Sequence, residues 1–366
     1  MKMDALKRDE KRRGKSRLRR SVFFFLYYSK FCNIALRSMQ TVRNEHPCMV
    51  LLYHRIVDDE TKCLDKGPVV HHHVRDFEKE IRFLKKNCAV LDLDEAVRRI
   101  AAGKAFDRPT VVITFDDGYL DNYTLGFPIL RKYGVPATVY LTTKLIGSLE
   151  RTWPDRIEWA LLHTKKTGLA WKKIFGDKSL HLRNMDEKRT ASIRIAAALK
   201  EMDDGCRRDA LTELFDMLEV RGDEEDGSGD RMMLNWAEVE EMWRGGITFG
   251  AHSHTHPILS RMEHESAKQE ILLSKELIEE NLGCKVRHFA FPNGREQDFT
   301  DPLRSYCEEI GFESVATVVH GVNGGRDGNA MRLKRIGAKG PVWEMTGGML
   351  REMLRWYAMN MNEVGE

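Results

Sequence analysis

Seven cysteines are scattered along the 366 residues, with no Cys-x-x-Cys pair among them. An odd and dispersed set does not make a disulfide framework, so reduced thiols in a cytoplasmic compartment are expected. Net charge is equally scarce. A balance of +3 over the whole chain is too small for a protein that binds nucleic acid. Internal repeats are missing, which removes solenoid and propeller architectures. No small-residue cleavage site follows the one apolar stretch near the N-terminus, so a secretory signal is not expected. What remains is a chain with 42% hydrophobic residues, enough for a sizeable core and long enough for one large domain with additions.

The positive charge is local. The run Lys7 to Arg20, KRDEKRRGKSRLRR, holds most of the excess and leads into SVFFFLYYSKFCNIALRSM, Ser21 to Met39. Lys30, Asn33 and Arg37 interrupt that segment before the roughly 20 apolar residues a spanning helix needs. Three readings stand: a helix lying on an anionic membrane surface, a short spanning anchor, or a helix packed on the domain. The first is preferred, because a basic block next to an aromatic-rich stretch suits such a surface. Residues 1–46 are therefore read as a basic, amphipathic segment, with contact at the inner face of the membrane. Residues 47–366 are read as the main domain.

Within that domain, short apolar runs alternate with helical patterns. CMVLLYHRI reads as a buried first strand, and VRDFEKEIRFLKKN carries Phe77, Ile81 and Leu84 at helical spacing. Strands AVLDL, TVVITF and ATVYLT follow, separated by helices that end at Gly103 and Gly134. The pattern breaks at about 148–235, where amphipathic helices and the acidic RGDEEDGSGD suggest an inserted helical segment. It resumes with a helix from Asn235, whose spacing to Glu238 is that of a capping box. Strands ITFGAH, VRHFAF, SVATVV and RLKRI complete the series, with Ser260 and Glu263 again at capping-box spacing before a long helix. About seven strands in alternation with helices predict an α/β barrel, in which chemistry sits at the C-terminal ends of the strands.

Two strand ends carry the chemistry. TVVITF runs into Asp116-Asp117-Gly118, and ITFGAH runs into His252-Ser-His254-Thr-His256. Asp and Gly are ordinary turn residues, and histidines can be loop filler. Three imidazoles in five residues at a strand end, with a carboxylate pair at another, point instead to a two-His-one-carboxylate metal site with open positions. One Asp then binds the metal while its neighbour acts as a base. A cation beside them keeps both carboxylates ionised at neutral pH. Zn²⁺ tolerates this set, as do other divalent first-row metals. His71, His72 and His73 form a second cluster, read as a solvated loop because no carboxylate stands at useful spacing.

TFDDG followed by HSHTH resembles the first two motifs of the NodB-type polysaccharide deacetylases, carbohydrate esterase family 4. The resemblance implies a distorted (β/α)7 barrel, here with a helical insertion, and metal-dependent removal of acetyl groups from N-acetylhexosamine units of a poly- or oligosaccharide. It implies Asp116 as catalytic base and Asp117, His252 and His256 as metal ligands. FAFPNG, Phe289 to Gly294, resembles the third motif, whose backbone N–H helps hold an oxyanion. Two departures stand out. The family places an arginine where Ala290 stands, and Arg335 in RLKRI is the candidate replacement. The family's Leu-x-His acid is missing, since no histidine follows His320. His54 in YHRI is the preferred acid and His320 its rival, in a layout similar to the biofilm poly-N-acetylglucosamine deacetylases. A nearby carboxylate is expected to raise the His54 pKa. The alternatives are an amidohydrolase acting on a non-carbohydrate small molecule and a catalytically silent carbohydrate-binding homologue. The intact Asp-Asp-His-His set speaks against the silent form.

Overall fold

Strand β1, Cys48–Tyr53, is buried at every position, as a strand covered on both faces must be, which explains its unbroken apolar run. The computed structural model describes residues 45–58, 70–220, 231–325, 328–338 and 340–361. The basic run, the apolar stretch to Met39 and the acidic loop 221–230 lie outside these residues. No helix among the described residues is long and apolar enough to cross a membrane.

After β1 the chain breaks at His54 and resumes as β2, Arg55–Val57, paired in parallel with β3, His71–His73. The expected single strand through Ile56 is thus two strands with a kink at a histidine. The solvated-loop reading of His71 to His73 is corrected as well. His72 is buried, with Nε2 3.0 Å from Glu80 Oε2, and the His71 ring is buried 4.0 Å from Glu158. His73 caps helix α1, Val74–Asn87, by accepting from the Arg75 N–H. Glu80 lies eight residues after His72 and Glu158 is remote in sequence, so spacing within the triplet did not reveal either partner.

Strand β4, Ala89–Val90, and helix α2, Leu93–Ala101, lead to β5, Thr110–Phe115, again buried throughout. A π-helical turn at Asn122–Gly126 precedes helix α3, Phe127–Tyr133, which Gly134 ends in the left-handed conformation. Next come β6, Thr138–Leu141, and the inserted region. Its helices α4, Trp153–His163, α5, Lys172–Phe175, α6, Met185–Leu199, and α7, Asp204–Leu218, accompany a small hairpin of β7, Gly168–Leu169, and β8, Leu180–His181. Trp153, Ile157, Leu161, Trp171, Ile195 and Leu214 give this region a core of its own, which Ile258 joins from the barrel side.

Helix α8, Trp236–Arg244, carries the full reciprocal capping box between Asn235 and Glu238. Strand β9, Thr248–Ala251, and helix α9, His264–Leu282, follow. Glu263 itself caps α9 by accepting from the Ser266 N–H, while Ser260 belongs to a short 3₁₀ turn. The expected Ser260–Glu263 box therefore does not form, because the helix begins one turn later. Strand β10, His288–Ala290, helix α10, Asp301–Glu309, strand β11, Ser314–His320, and strand β12, Leu333–Gly337, complete the ring. A final helix α11, Val342–Met361, lays Met345, Met349, Met353 and Tyr357 on the main core. The sequence pattern did not announce it, since Gly347-Gly348 weakens the helical signal.

The strands run in the order β1, β12, β11, β10, β9, β6, β5, and β5 returns to β1, with β4 added beside β5. Every pairing in the ring is parallel. The architecture is a closed seven-stranded (β/α) barrel. Register then decides what meets what. Tyr53 lies opposite Phe115 and Leu141 opposite Ala251. The next residues of those strands, His54, Asp116 and His252, are delivered to the same barrel end.

Candidate metal and catalytic site

The loop after β5 turns sharply. Asp117 has φ 75° and Gly118 φ 87°. A Cβ on Gly118 would come within 2.8 Å of the Leu141 side chain, so glycine is needed there twice over. Ser253, His256 and Asn293 also hold positive φ near 60°. Four non-glycine residues in a rarely populated backbone region cluster at one barrel end, a pattern characteristic of functional sites.

Asp117, His252 and His256 are buried and offer ligand atoms within 4.8 Å of one another. Asp117 Oδ1 lies 3.3 Å from His252 Nε2 and 3.1 Å from His256 Nε2. His252 Nδ1 donates to the Ala290 carbonyl oxygen at 2.7 Å, which fixes the tautomer and leaves Nε2 bare toward Asp117. Helix α9 steadies the same loop. Glu270 accepts from the N–H groups of His254 and Thr255 at 2.9 and 2.7 Å. The His254 ring meets Thr143 Oγ1 at 3.0 Å instead, so the middle histidine stays out of the cluster. Two imidazole nitrogens and one carboxylate oxygen converging in a buried pocket fit a divalent first-row cation.

Asp116 stands beside this set, with Oδ2 3.9 Å from His252 Nε2. Arg335 reaches it from β12 across the barrel interior. Nη1 donates to Oδ1 at 2.7 Å and Nη2 to Oδ2 at 2.8 Å, while Nε donates to the Thr317 carbonyl at 2.7 Å. Burial pushes the Asp116 carboxyl up, but Arg335, then His252, hold it below its ordinary value. Burial likewise opposes ionisation of Asp117, and His256 and His252 hold it well below the usual carboxylate range. Both carboxylates are ionised at neutral pH.

His54 lines the same cavity of about 570 Å³, together with Asp116, Asp117, His252, His256 and Arg335. Its Nδ1 is buried without a hydrogen-bond partner among the described residues. The expectation of a raised pKa is corrected. Burial lowers it, and Asp117 and Asp116 restore only part of the loss. A bound cation pushes in the same downward direction. His320 is placed at the rim, 3.3 Å from Glu352 of α11 with 47% of its side chain exposed. Asn293, which was seen only as part of a motif, also lines the cavity.

A parallel barrel with Asp117, His252 and His256 converging at its strand ends, and Asp116 beside them, offers the donor set of a divalent-cation site. A family model described as polysaccharide deacetylase matches residues 103–171 and 203–315, which contain Asp116, Asp117, His252 and His256. The chain belongs to the polysaccharide deacetylase family. It is 33% identical to YxkH of Bacillus subtilis over 109 residues, 29% of this chain and 36% of that protein. It is 32% identical to the poly-beta-1,6-N-acetyl-D-glucosamine N-deacetylase of Staphylococcus epidermidis over 113 residues, 28% of this chain and 39% of that one. The matches thus span less than two-fifths of either relative. Among solved structures, the Streptococcus pyogenes deacetylase PplD in complex with acetate superposes with a TM-score of 0.54 at 18% identity, covering 84% of this chain and 99% of its own. IcaB from Ammonifex degensii gives 0.52 at 17% identity, covering 84% and 97%. At such identities these two structures establish the fold.

Proposed function

We propose that the protein is a metal-dependent hydrolase that removes acetyl groups from N-acetylhexosamine units of a poly- or oligosaccharide. The observation that carries this reading is the convergence of Asp117, His252 and His256 beside an Asp116 held ionised by Arg335. A divalent cation held by the first three supplies Lewis acidity to the cavity. Asp116, an oriented and ionised carboxylate, takes the proton from the attacking water. His54 delivers a proton to the departing nitrogen, because an amide anion is too basic to leave. The lowered His54 pKa makes its imidazolium a stronger acid and confines the protonated form to lower pH. Arg335 orients Asp116 through two parallel hydrogen bonds. Asn293 lines the cavity, and its backbone N–H is the donor assigned to the developing oxyanion. The Staphylococcus epidermidis relative, named for poly-beta-1,6-N-acetyl-D-glucosamine, supports a polymer of N-acetylglucosamine as the first substrate to try. The basic block before Ser21 supports peripheral contact with the inner face of the membrane.

Acetate release from N-acetylglucosamine oligomers, measured with metal content, tests the reading. About one divalent metal per chain is expected, with release abolished by a chelator and restored by Zn²⁺. Full activity in stripped protein overturns the metal role. Cleavage of small amides by metal-loaded protein that ignores every N-acetylhexosamine oligomer overturns the carbohydrate role. His54→Ala is expected to keep its metal, lose most amide hydrolysis and lose less on an activated aryl ester, whose leaving group needs no proton.

A further inference from the structure

His54 sits at a break in the chain, between the end of β1 and the start of β2, and its ring faces the cavity. Nδ1 has no hydrogen-bond partner among the described residues. A ring without such a bond at Nδ1 takes its aim largely from its own backbone. Two consecutive residues hold that backbone. Asn122 Nδ2 donates to the His54 carbonyl oxygen at 2.8 Å. Asp121 Oδ1 accepts from the Ile56 N–H at 3.0 Å, and its Oδ2 accepts from Arg55 Nε at 2.9 Å. Asn122 is 1% exposed, so its amide is withdrawn from water to make this contact, at a cost that needs a partner. Asn122 also opens the π-helical turn at Asn122–Gly126, a distortion that costs helix geometry and recurs at functional sites. Asp121 lies five residues after Asp116. The segment from the Asp116 loop into the π-helical turn therefore also grips residues 54, 55 and 56.

We propose that Asp121 and Asn122 are positioning residues for His54, setting the proton donor against the reacting nitrogen while the same segment presents Asp116 to the water. The proposal rests on the reading of His54 as the proton donor. Displacement of a catalytic group by about 1 Å costs on the order of 10²-fold, so Asn122→Ala is expected to lower turnover of an N-acetyl oligosaccharide by roughly 10- to 100-fold. Turnover of an activated aryl ester falls much less, and metal content stays at the wild-type level. In a His54→Ala background, Asn122→Ala adds no further loss, since residues that act as one unit are not additive. Asp121→Asn reports on the second half of the clamp and decides the matter if Asn122→Ala does not fold. Equal losses on amide and ester, or an undiminished loss in the His54→Ala background, make the pair merely structural and overturn the proposal. If His54→Ala itself fails to separate amide from ester, the donor reading falls and the clamp falls with it. If His54→Ala separates them and neither clamp variant does, only the clamp falls.

Discussion

Arg335→Met removes the cation that holds Asp116, the proposed base, ionised. Arg335 is buried, and it spends Nη1 and Nη2 on Asp116, Nε on the Thr317 carbonyl and a longer contact of 3.4 Å on Thr114 Oγ1. Methionine of similar reach fills part of the space but leaves a carboxylate that is 2% exposed without its bidentate partner. Breaking a buried pair from one side costs about 3–5 kcal/mol, so a fall of that size in unfolding free energy is expected from denaturant titration. Turnover falls too, because burial then pushes the Asp116 carboxyl upward unopposed by Arg335. Asp116→Asn in the Arg335→Met background recovers part of the stability but none of the activity. The pH dependence has a definite sign. Asp116 has a folded pKa below its ordinary 3.8, so its contribution is full above 3.8 and is lost as pH falls through the folded value. Arg335→Met removes that acid-side dependence. A loss under about 1 kcal/mol, the range of an exposed ion pair, with unchanged turnover would refute the reasoning. So would a double variant as unstable as the sum of the singles.

Other outcomes follow from the same geometry. Asp117→Asn and His252→Ala should each lose the metal, read by elemental analysis after dialysis; wild-type affinity in either removes that residue from the ligand set. Oligosaccharide turnover should fall as pH rises through the His54 pKa, which lies below the ordinary 6.5, while aryl ester turnover shows no such limb; a shared profile counts against a proton donor at His54. Deleting the residues before Glu45 should release the protein from anionic liposomes and spare turnover of soluble oligosaccharides, and a full-length chain that ignores such liposomes at low salt ends the membrane reading.

Much of this site was legible before any tertiary structure. Asp116-Asp117-Gly118 and His252 to His256 stood out because polar groups at the end of a buried strand are costly unless they have work or partners. The barrel was legible as well, because strands buried on both faces read as unbroken apolar runs between helical patterns. Those signals are local, and the chain writes them within a few residues. What the chain alone left open was which distant groups meet. Arg335 stands 219 residues from Asp116, and only closure of the ring through β1, with Val50 against Arg335 and Tyr53 against Phe115, brings the guanidinium to that carboxylate. The same closure brought His54 into the cavity and buried it, so its pKa falls where a neighbouring metal-bound carboxylate was expected to raise it. His72 found Glu80, and α11 covered the barrel flank despite its paired glycines. Charge balance, burial and register depend on what packs from the far side of the fold, and a strand's own residues do not encode that.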